Sequence, residues 1–240
     1  MNEHSAKLIL VLNSGSSSLK FALIDVADGQ PRRLLSGVVN EGENRRRVLR
    51  SVDADGRARA FMPALAVPPQ SRVADIGALL KARGLPAPVA IGHRIVHGGI
   101  GVQRHQLIDA GVLAQLEAAA PFAPLHMRAA LDLVRCARTC FPDIPQIACL
   151  DTVFHASLPA AAATLPLPRE MRDLGVRRYG FHGLSCASIV RQLGAPKQKL
   201  AAMAAPTVHE LPRRLVIAHL GSGCSVTAVA NGISVDTSMG

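Results

Sequence analysis

One pattern occurs twice in this chain and restricts its fold more than any other feature. Leu8–Leu12 is an apolar run, followed by the small polar turn Asn13-Ser-Gly-Ser-Ser-Ser18 and an alternating run over Leu19–Val26. Near the other end, Leu215–His219 is again apolar, Gly221-Ser-Gly-Cys-Ser225 is again a turn of small residues, and Val226–Ala230 again reads as a strand. Alternation and short apolar runs bounded by turn residues are strand signals. Ala27-Asp-Gly29 and Asn231-Gly232 then mark hairpins, the second of type I′, leading into third strands over Arg33–Val39 and Ile233–Val235. A strand, Gly/Ser turn and strand met twice indicate an internal duplication, with two related halves expected to face each other across a cleft.

The intervening sequence switches to helical periodicity. Ser71–Arg83 places Val73, Ile76, Leu79 and Leu80 on one face, and Pro86 and Pro88 are expected to end that helix. Val89–Gly92 predicts a short strand leading into His93-Arg94-Ile-Val-His97-Gly-Gly99. Asp109 is placed to cap a helix carrying Val112, Leu113 and Leu116. Another helix follows Pro124, with Met127, Leu131 and Val134 in register. Ile144–Leu150 predicts a strand that delivers Asp151 at its end, and Ser185–Leu193 a helix capped by Ser185. Short strands and loops are expected over Asn40–Pro69, and a low-complexity linker over Ala195–Pro212. Strands alternating with helices define an α/β class. The expected division is a first domain over 1–150 and the start of a second over 151–240.

Composition excludes several function classes. With 49% hydrophobic and 18% charged residues the 240-residue chain can bury a core and is not a disordered tail. No apolar run approaches the ~20 residues of a membrane helix, and the run Leu8–Leu12 is too short for a signal-peptide core, so a cytoplasmic protein without a membrane partner is expected. The net charge of +10 attracts anions in general. Its basic residues come in small clusters, and aromatics are only 3%, which leaves few platforms for base stacking. Nucleic acid is therefore not expected, and a polyanionic small substrate accounts for the charge equally well. The five cysteines match no disulfide framework or zinc ligand set and read as reduced thiols of a core.

The turns carry the chemistry. A Gly/Ser turn lets backbone N–H groups approach phosphate oxygens closely, and hydroxyls add donors. Asn13–Ser18 has that form, with Lys20 as a cation nearby, and it is not a Walker A loop because the lysine follows a strand. Alone it reads as an ordinary hairpin, but the matching turn at Gly221–Gly223 favours a pair of phosphate-binding turns. Arg94 has the fork geometry for a carboxylate or phosphate, and reads equally as a surface arginine in a glycine loop. Asp151 suits a base or a metal-directed carboxylate, or else a helix cap. His182 sits between glycines in Tyr179-Gly-Phe-His182-Gly, exposed for chemistry or structural, and His219 ends a strand just before the second turn.

Taken in order, "LNSGSSSLKFALID", "GHRIVHGG", "PLH", "DTVFHASLP", "RRYGFHG" and "HLGSGCSV…DTSMG" resemble the successive signatures of the acetate kinase family. That family includes propionate and butyrate kinases and belongs to the sugar kinase/Hsp70/actin superfamily. The resemblance runs from Lys7 to Gly240 and spans roughly the first three-fifths of a usual member. It implies duplicated ribonuclease-H-like (actin-like ATPase) domains with mixed sheets, the second incomplete. It implies ATP-dependent, Mg²⁺-assisted phosphorylation of acetate or another short-chain carboxylate to the acyl phosphate by direct in-line transfer. Asn13 matches the magnesium-site asparagine. Ser16, Ser18 and Lys20 belong to the first phosphate signature, and His219, Leu220, Gly221, Ser222 and Gly223 to the second. Arg94 matches the arginine for the substrate carboxylate, and Val96, Leu125 and Phe181 the pocket around its methyl group. Asp151 matches the catalytic aspartate, and His182 the transition-state histidine.

Some positions depart from the family pattern. Ser222 takes the variable place of the HLGNG or HLGAG loop, FHGTSH reads FHGLSC with Leu184 and Cys186, and PLHN reads PLHM with Met127. A full-length member also supplies, past the position of Gly240, a second transition-state arginine, most of the adenosine pocket and a magnesium carboxylate. An arginine of that kind contributes ~10³–10⁵ in rate, and the family's homodimer surfaces lie largely in that same portion. The 240-residue chain is thus expected to be weakly active or inactive and not a secure dimer, the alternative being a non-catalytic phosphate- or nucleotide-binding remnant. Trapping the acyl phosphate with hydroxylamine checks this: little product is expected from the purified chain, and a near-normal rate would overturn the expectation.

Overall fold

The computed structural model describes residues 7–15, 18–41, 47–61, 71–194 and 211–240. Ser16, most of the linker expected over Ala195–Pro212 and the stretches 42–46 and 62–70 lie outside the described residues. The chain divides into two compact units, Met1–Cys149 and Leu150–Gly240.

The first unit opens with five strands in succession: β1 (Leu8–Ser14), β2 (Ser18–Asp25), β3 (Arg32–Glu41), β4 (Arg47–Asp53) and β5 (Ala58–Phe61). Helix α1 (Ser71–Ala82), strands β6 (Ala90–Ile95) and β7 (Gln106–Leu107), helices α2 (Ala110–Ala118) and α3 (Pro124–Cys140), and strand β8 (Gln146–Leu150) follow. The strands form one mixed sheet in the order β5-β4-β3-β2-β1-β6-β8-β7. β1 is antiparallel to β2 and parallel to β6, so it is the strand at which the hairpin meander joins the crossover half of the sheet.

Alternation fixes which face of this sheet is covered. Leu8, Leu10 and Leu12 of β1 are fully buried, and their cross-strand partners Leu23 and Phe21 share that face. Val73, Ile76, Leu79 and Leu80 of α1 pack on it, with Ala137 of α3. α3 also buries Met127, Ala130, Leu131 and Val134, spaced three and four apart as its sequence period requires.

The structure corrects three local expectations. α1 stops at a left-handed Gly84 (φ 63°), with the Leu85 N–H bonded to the Leu80 carbonyl and the Gly84 N–H to that of Lys81, so a glycine cap ends it before Pro86 is reached. β6 runs on through His93, Arg94 and Ile95, placing His93 and Arg94 within the strand and not in a glycine loop beyond it. The reason is burial on one face, where Ile91, His93 and Ile95 are all covered. The cysteines are all free, but Cys224 is exposed and belongs to no core. Asp109 does cap α2, its Oδ1 accepting from the Val112 N–H at 2.7 Å.

The second unit contains short helices α4 (Ala160–Ala163) and α5 (Arg169–Asp173), helix α6 (Gly183–Gly194), and strands β9 (Arg214–Leu220), β10 (Cys224–Ala230) and β11 (Ile233–Thr237). Its sheet has the order β11-β10-β9, all antiparallel, which repeats the β3-β2-β1 meander of the first unit. Asn231 (φ 50°) and Gly232 (φ 81°) both take the left-handed conformation that a type I′ hairpin needs. Cys186 of α6 packs with Ile217 and Val229 beneath this sheet. No helix among the described residues is long and apolar enough to cross a membrane.

Gly37 gives a direct check of the first sheet. A Cβ there would lie 2.4 Å from the Arg50 carbonyl oxygen and 2.6 Å from the Phe21 ring. Gly37→Ala is therefore expected to destabilise the protein by about 1–3 kcal/mol, the usual cost of overpacking, read as a lower denaturation midpoint. An unchanged midpoint would contradict this packing.

Candidate active site

In the first unit, cross-strand register assembles the polar groups. Asn13 of β1 stands directly opposite Lys20 of β2. Leu12 pairs with His93 on the other side, so the next residues along, Asn13 and Arg94, share a level and the uncovered face. Arg94 Nη1 donates to Asn13 Oδ1 at 3.3 Å. Lys20, Asn13 and Arg94 thus form a row across three adjacent strands. Lys20 is exposed, while Asn13 and Arg94 are half-buried. The turn at the end of β1 is closed by the Gly15 N–H donating to the Ser18 carbonyl at 2.7 Å.

The histidines of this region have structural duties. His93 points away from Arg94 into the core, where its ring bonds Gln146 Oε1 at 2.8 Å. A carboxamide oxygen only accepts, so Nε2 of His93 carries the proton. Burial pushes the His93 pKa down to about 4, against the opposing pull of the Gln146 hydrogen bond, and the Arg138 charge lowers it further. His97 accepts the Gly99 N–H on Nδ1 at 2.8 Å and stacks on Phe122 at 4.8 Å, and burial lowers its pKa too. Val96 lies just past β6 and is half-buried. Leu125, at the start of α3, is 87% exposed and lines a separate cavity of about 480 Å³ with Gly15, Leu19 and Arg72. Neither Arg94 nor Val96 lines that cavity.

In the second unit, a single corner gathers the remaining groups. Asp151 follows β8 and is 2% exposed. The short turn Val153–His155 after it starts at Thr152 without a side-chain cap, so Asp151 does not serve as its cap. The Asp151 carbonyl accepts the Gly183 N–H at 2.8 Å, and a Cβ at Gly183 would lie only 2.1 Å from that oxygen. Helix α6 accordingly begins at Gly183, two residues before the expected start, and the His182 carbonyl accepts its first helical bond, from Cys186. Ser185 is inside the helix and caps nothing; its hydroxyl lies 3.1 Å from His219 Nδ1. The rule that a serine precedes a helix loses here to a backbone contact that only glycine permits.

His182 itself is held in the left-handed region, φ 61°, a conformation with a cost of order 1–3 kcal/mol for a residue of this kind. Its Nδ1 lies 2.9 Å from Ser225 Oγ, and its ring stacks on that of His219 with centroids 4.0 Å apart and planes 20° from parallel. Its Nε2 faces the second glycine turn, since a Cβ at Gly223 would stand 3.2 Å from that nitrogen. His155, fully buried, bonds Ser234 Oγ at 2.8 Å through Nδ1 and the Phe181 carbonyl at 3.0 Å through Nε2. Burial lowers the His155 pKa, opposed by the Phe181 hydrogen bond and by Asp151.

The structure thus brings together Lys20, Asn13 and Arg94 in one unit, and His182, His219 and Gly223 in the other. Sequence reasoning did not assign Ser185, Ser225, Ser234 or His155 to the site. Ser225 closes the second turn and was visible as its last residue; Ser185 read as a helix cap, His155 as a neighbour of Asp151, and Ser234 carried no signal of its own. Of the departures from the family pattern, Met127 and Cys186 are buried, Cys186 with its thiol against Thr227 Oγ1 at 3.7 Å, so both act in packing. Among the described residues, no group of three or more His, Cys, Asp or Glu could hold a metal ion.

The same arrangement of elements occurs in known proteins. A propionate kinase from Francisella tularensis superposes with a TM-score of 0.80 at 33% identity, over 98% of this chain and 57% of that one. The acetate kinase of Porphyromonas gingivalis does so with a TM-score of 0.76 at 30% identity, over 98% and 57%. In sequence, the chain is 40% identical to the acetate kinase of Streptomyces coelicolor over 98% of its own length and 56% of the relative's. It is 41% identical to that of Deinococcus deserti over 97% and 56%. The chain spans little more than half the length of the relatives it matches. The profile of the acetokinase family matches residues 8–240, and the chain belongs to that family. Its α/β fold with a large mixed sheet is that of these kinases.

The neutral His93 beside Arg94 has a measurable consequence. Its native pKa of about 4 lies below the ordinary 6.5, so the unfolded chain takes up this proton first as pH falls. The stability it contributes is complete above pH 6.5 and is lost as pH falls toward about 4. At about 1.4 kcal/mol per pH unit the loss approaches about 3 kcal/mol. Urea unfolding from pH 7 to 4 is expected to give a steeper acid decline for the native chain than for His93→Gln. Parallel declines would refute the assignment.

Proposed function

We propose that this chain carries the catalytic groups of a kinase that moves the γ-phosphoryl group of ATP onto the carboxylate of a short-chain acid, acetate or propionate. The observation that carries the reading is His182. A side chain held at a strained φ, with Nδ1 engaged by Ser225, sets Nε2 against Gly223 of the second turn, 3.2 Å from where a Cβ there would stand.

Each group then has a role that its chemistry suits. A carboxylate oxygen attacks the γ-phosphorus in line, and the bond to ADP breaks. The acid has no proton to lose at neutral pH, so Asp151 is an orienting or metal-directed group and not a general base. With the Ser225 hydroxyl donating to Nδ1, His182 presents Nε2–H to an equatorial phosphoryl oxygen, where charge spreads during transfer. Arg94 pairs with the carboxylate, and its hydrogen bond to Asn13 fixes the direction of its fork. Lys20 and the turns at Gly15–Ser18 and Gly221–Gly223 serve the phosphates. Val96, beside Arg94 in sequence, is the residue of the first unit proposed to meet the acyl chain.

Magnesium fits a set poor in protein ligands. Mg²⁺ keeps several waters and binds through one or two carboxylates plus substrate phosphates, so the lack of a three-ligand cluster among the described residues is compatible with it. Asn13, the residue that matches the family's magnesium-site asparagine, would offer it a side-chain oxygen. Bound there, the ion would neutralise charge on the phosphates of ATP.

Calorimetry with Mg-ATP tests the reading. The chain is expected to bind the nucleotide. Lys20→Ala should weaken binding roughly 10- to 100-fold, the worth of one charged hydrogen bond, and Gly223→Val should abolish it by filling the space at His182 Nε2. No binding, or binding indifferent to both changes, would overturn it.

A further inference from the structure

We propose that His155 is the positioning residue of this site: as the neutral Nε2–H tautomer it clamps the Phe181 carbonyl and so holds His182 in its left-handed, stacked geometry. The inference deepens the phosphoryl-transfer reading and rests on it for the importance of His182.

The corner from Tyr179 to Gly183 needs external restraint. Gly180 (φ 76°) and His182 (φ 61°) are both left-handed, with Phe181 between them. Such a sequence of conformations does not persist unless its surroundings impose it. The Gly183 N–H to Asp151 carbonyl bond pins one end. His155 pins the middle, because its Nε2 lies 3.0 Å from the oxygen of the residue immediately before His182. It also packs so tightly against the preceding glycine that a Cβ at Gly180 would lie 2.5 Å from the imidazole Cγ.

The chemistry of the partners fixes the proton. A backbone carbonyl only accepts, so Nε2 must donate, and Nδ1 of the neutral ring then accepts from the Ser234 hydroxyl at 2.8 Å. The ring therefore links β11, through Ser234, to the carbonyl that precedes His182. Complete burial leaves it no solvent to exchange partners with. His155 touches no substrate in this account. It acts through the backbone, and the distance it controls is that between the His182 and His219 rings, now 4.0 Å.

Ring-nitrogen NMR on the histidine-labelled chain tests this without nucleotide or acid, so a failure of the phosphoryl-transfer reading would appear in calorimetry and leave these signals unaffected. In the native chain His155 is expected as a single neutral tautomer protonated on Nε2; an Nδ1–H tautomer would overturn the proposal. The carbon-bound ring protons of His182 and His219 should show mutual upfield shifts from stacking. His155→Gln, whose amide can reach the Phe181 carbonyl in place of Nε2, is expected to keep those shifts. His155→Asn, whose amide stands where Nδ1 stood, is expected to lose them. A folded His155→Asn chain with the shifts intact would overturn the proposal. So would their loss in a folded His155→Gln chain. Should both variants unfold, the native tautomer decides by itself.

Discussion

The arrangement of the first unit depends on the register of β1. Its leucines at 8, 10 and 12 are wholly excluded from water, which commits the intervening residues to the other face. A slip by one residue against β2 or β6 would bring Asn13 into the leucine core and turn Leu12 outward, exposing a side chain whose burial contributes about 1.5–3 kcal/mol. The same constraint that makes the core places Asn13 opposite Lys20 and level with Arg94. The polar row is thus a by-product of apolar packing on the reverse side. The Arg94 to Asn13 hydrogen bond of 3.3 Å joins two of its members.

The second unit uses a different device. Its histidine corner is not a regular element with a solvent-facing side; it is a turn whose backbone is fixed by contacts too close for any side chain. Gly183 against the Asp151 carbonyl and Gly180 against the His155 ring leave no freedom for larger residues. Strain at His182 is offset by bonds to Ser225 and by stacking on His219. The histidine stays just before the start of α6.

How much of this was legible in the sequence follows from the physics of each element. The strand meanders, α1, α2 and α3 were readable because burial on one face imposes a period of two or near 3.6, and the residues obey it. The hairpin at Asn231-Gly232 was readable because few residues accept two positive φ angles in a row. The start of α6 was not, since a serine placed like a cap competes with a glycine contact to a residue far away in sequence. The full length of β6 was hidden because His93 looks like a polar residue leaving a strand, whereas burial with Gln146 makes it a core residue. The motif residues themselves stood out. The serines that orient them did not, because a hydroxyl acquires its partner only when the fold supplies one.

Those serines bear on what the substitutions within the family signatures do. Cys186 stands where the family pattern has an imidazole, in the first turn of α6, one residue beyond Ser185. A second buried imidazole there would need a hydrogen-bond partner, and the atoms nearest are Thr227 Oγ1 and, through it, Thr237 Oγ1. A thiol is a weak donor with little cost when its bond is long, so the 3.7 Å contact suffices and the threonine pair can bond to itself at 3.2 Å. The thiol in place of an imidazole leaves a weakly polar group packed in the cluster of Cys186, Ile217 and Val229. That cluster carries no charge at neutral pH, and burial pushes the Cys186 thiol pKa up.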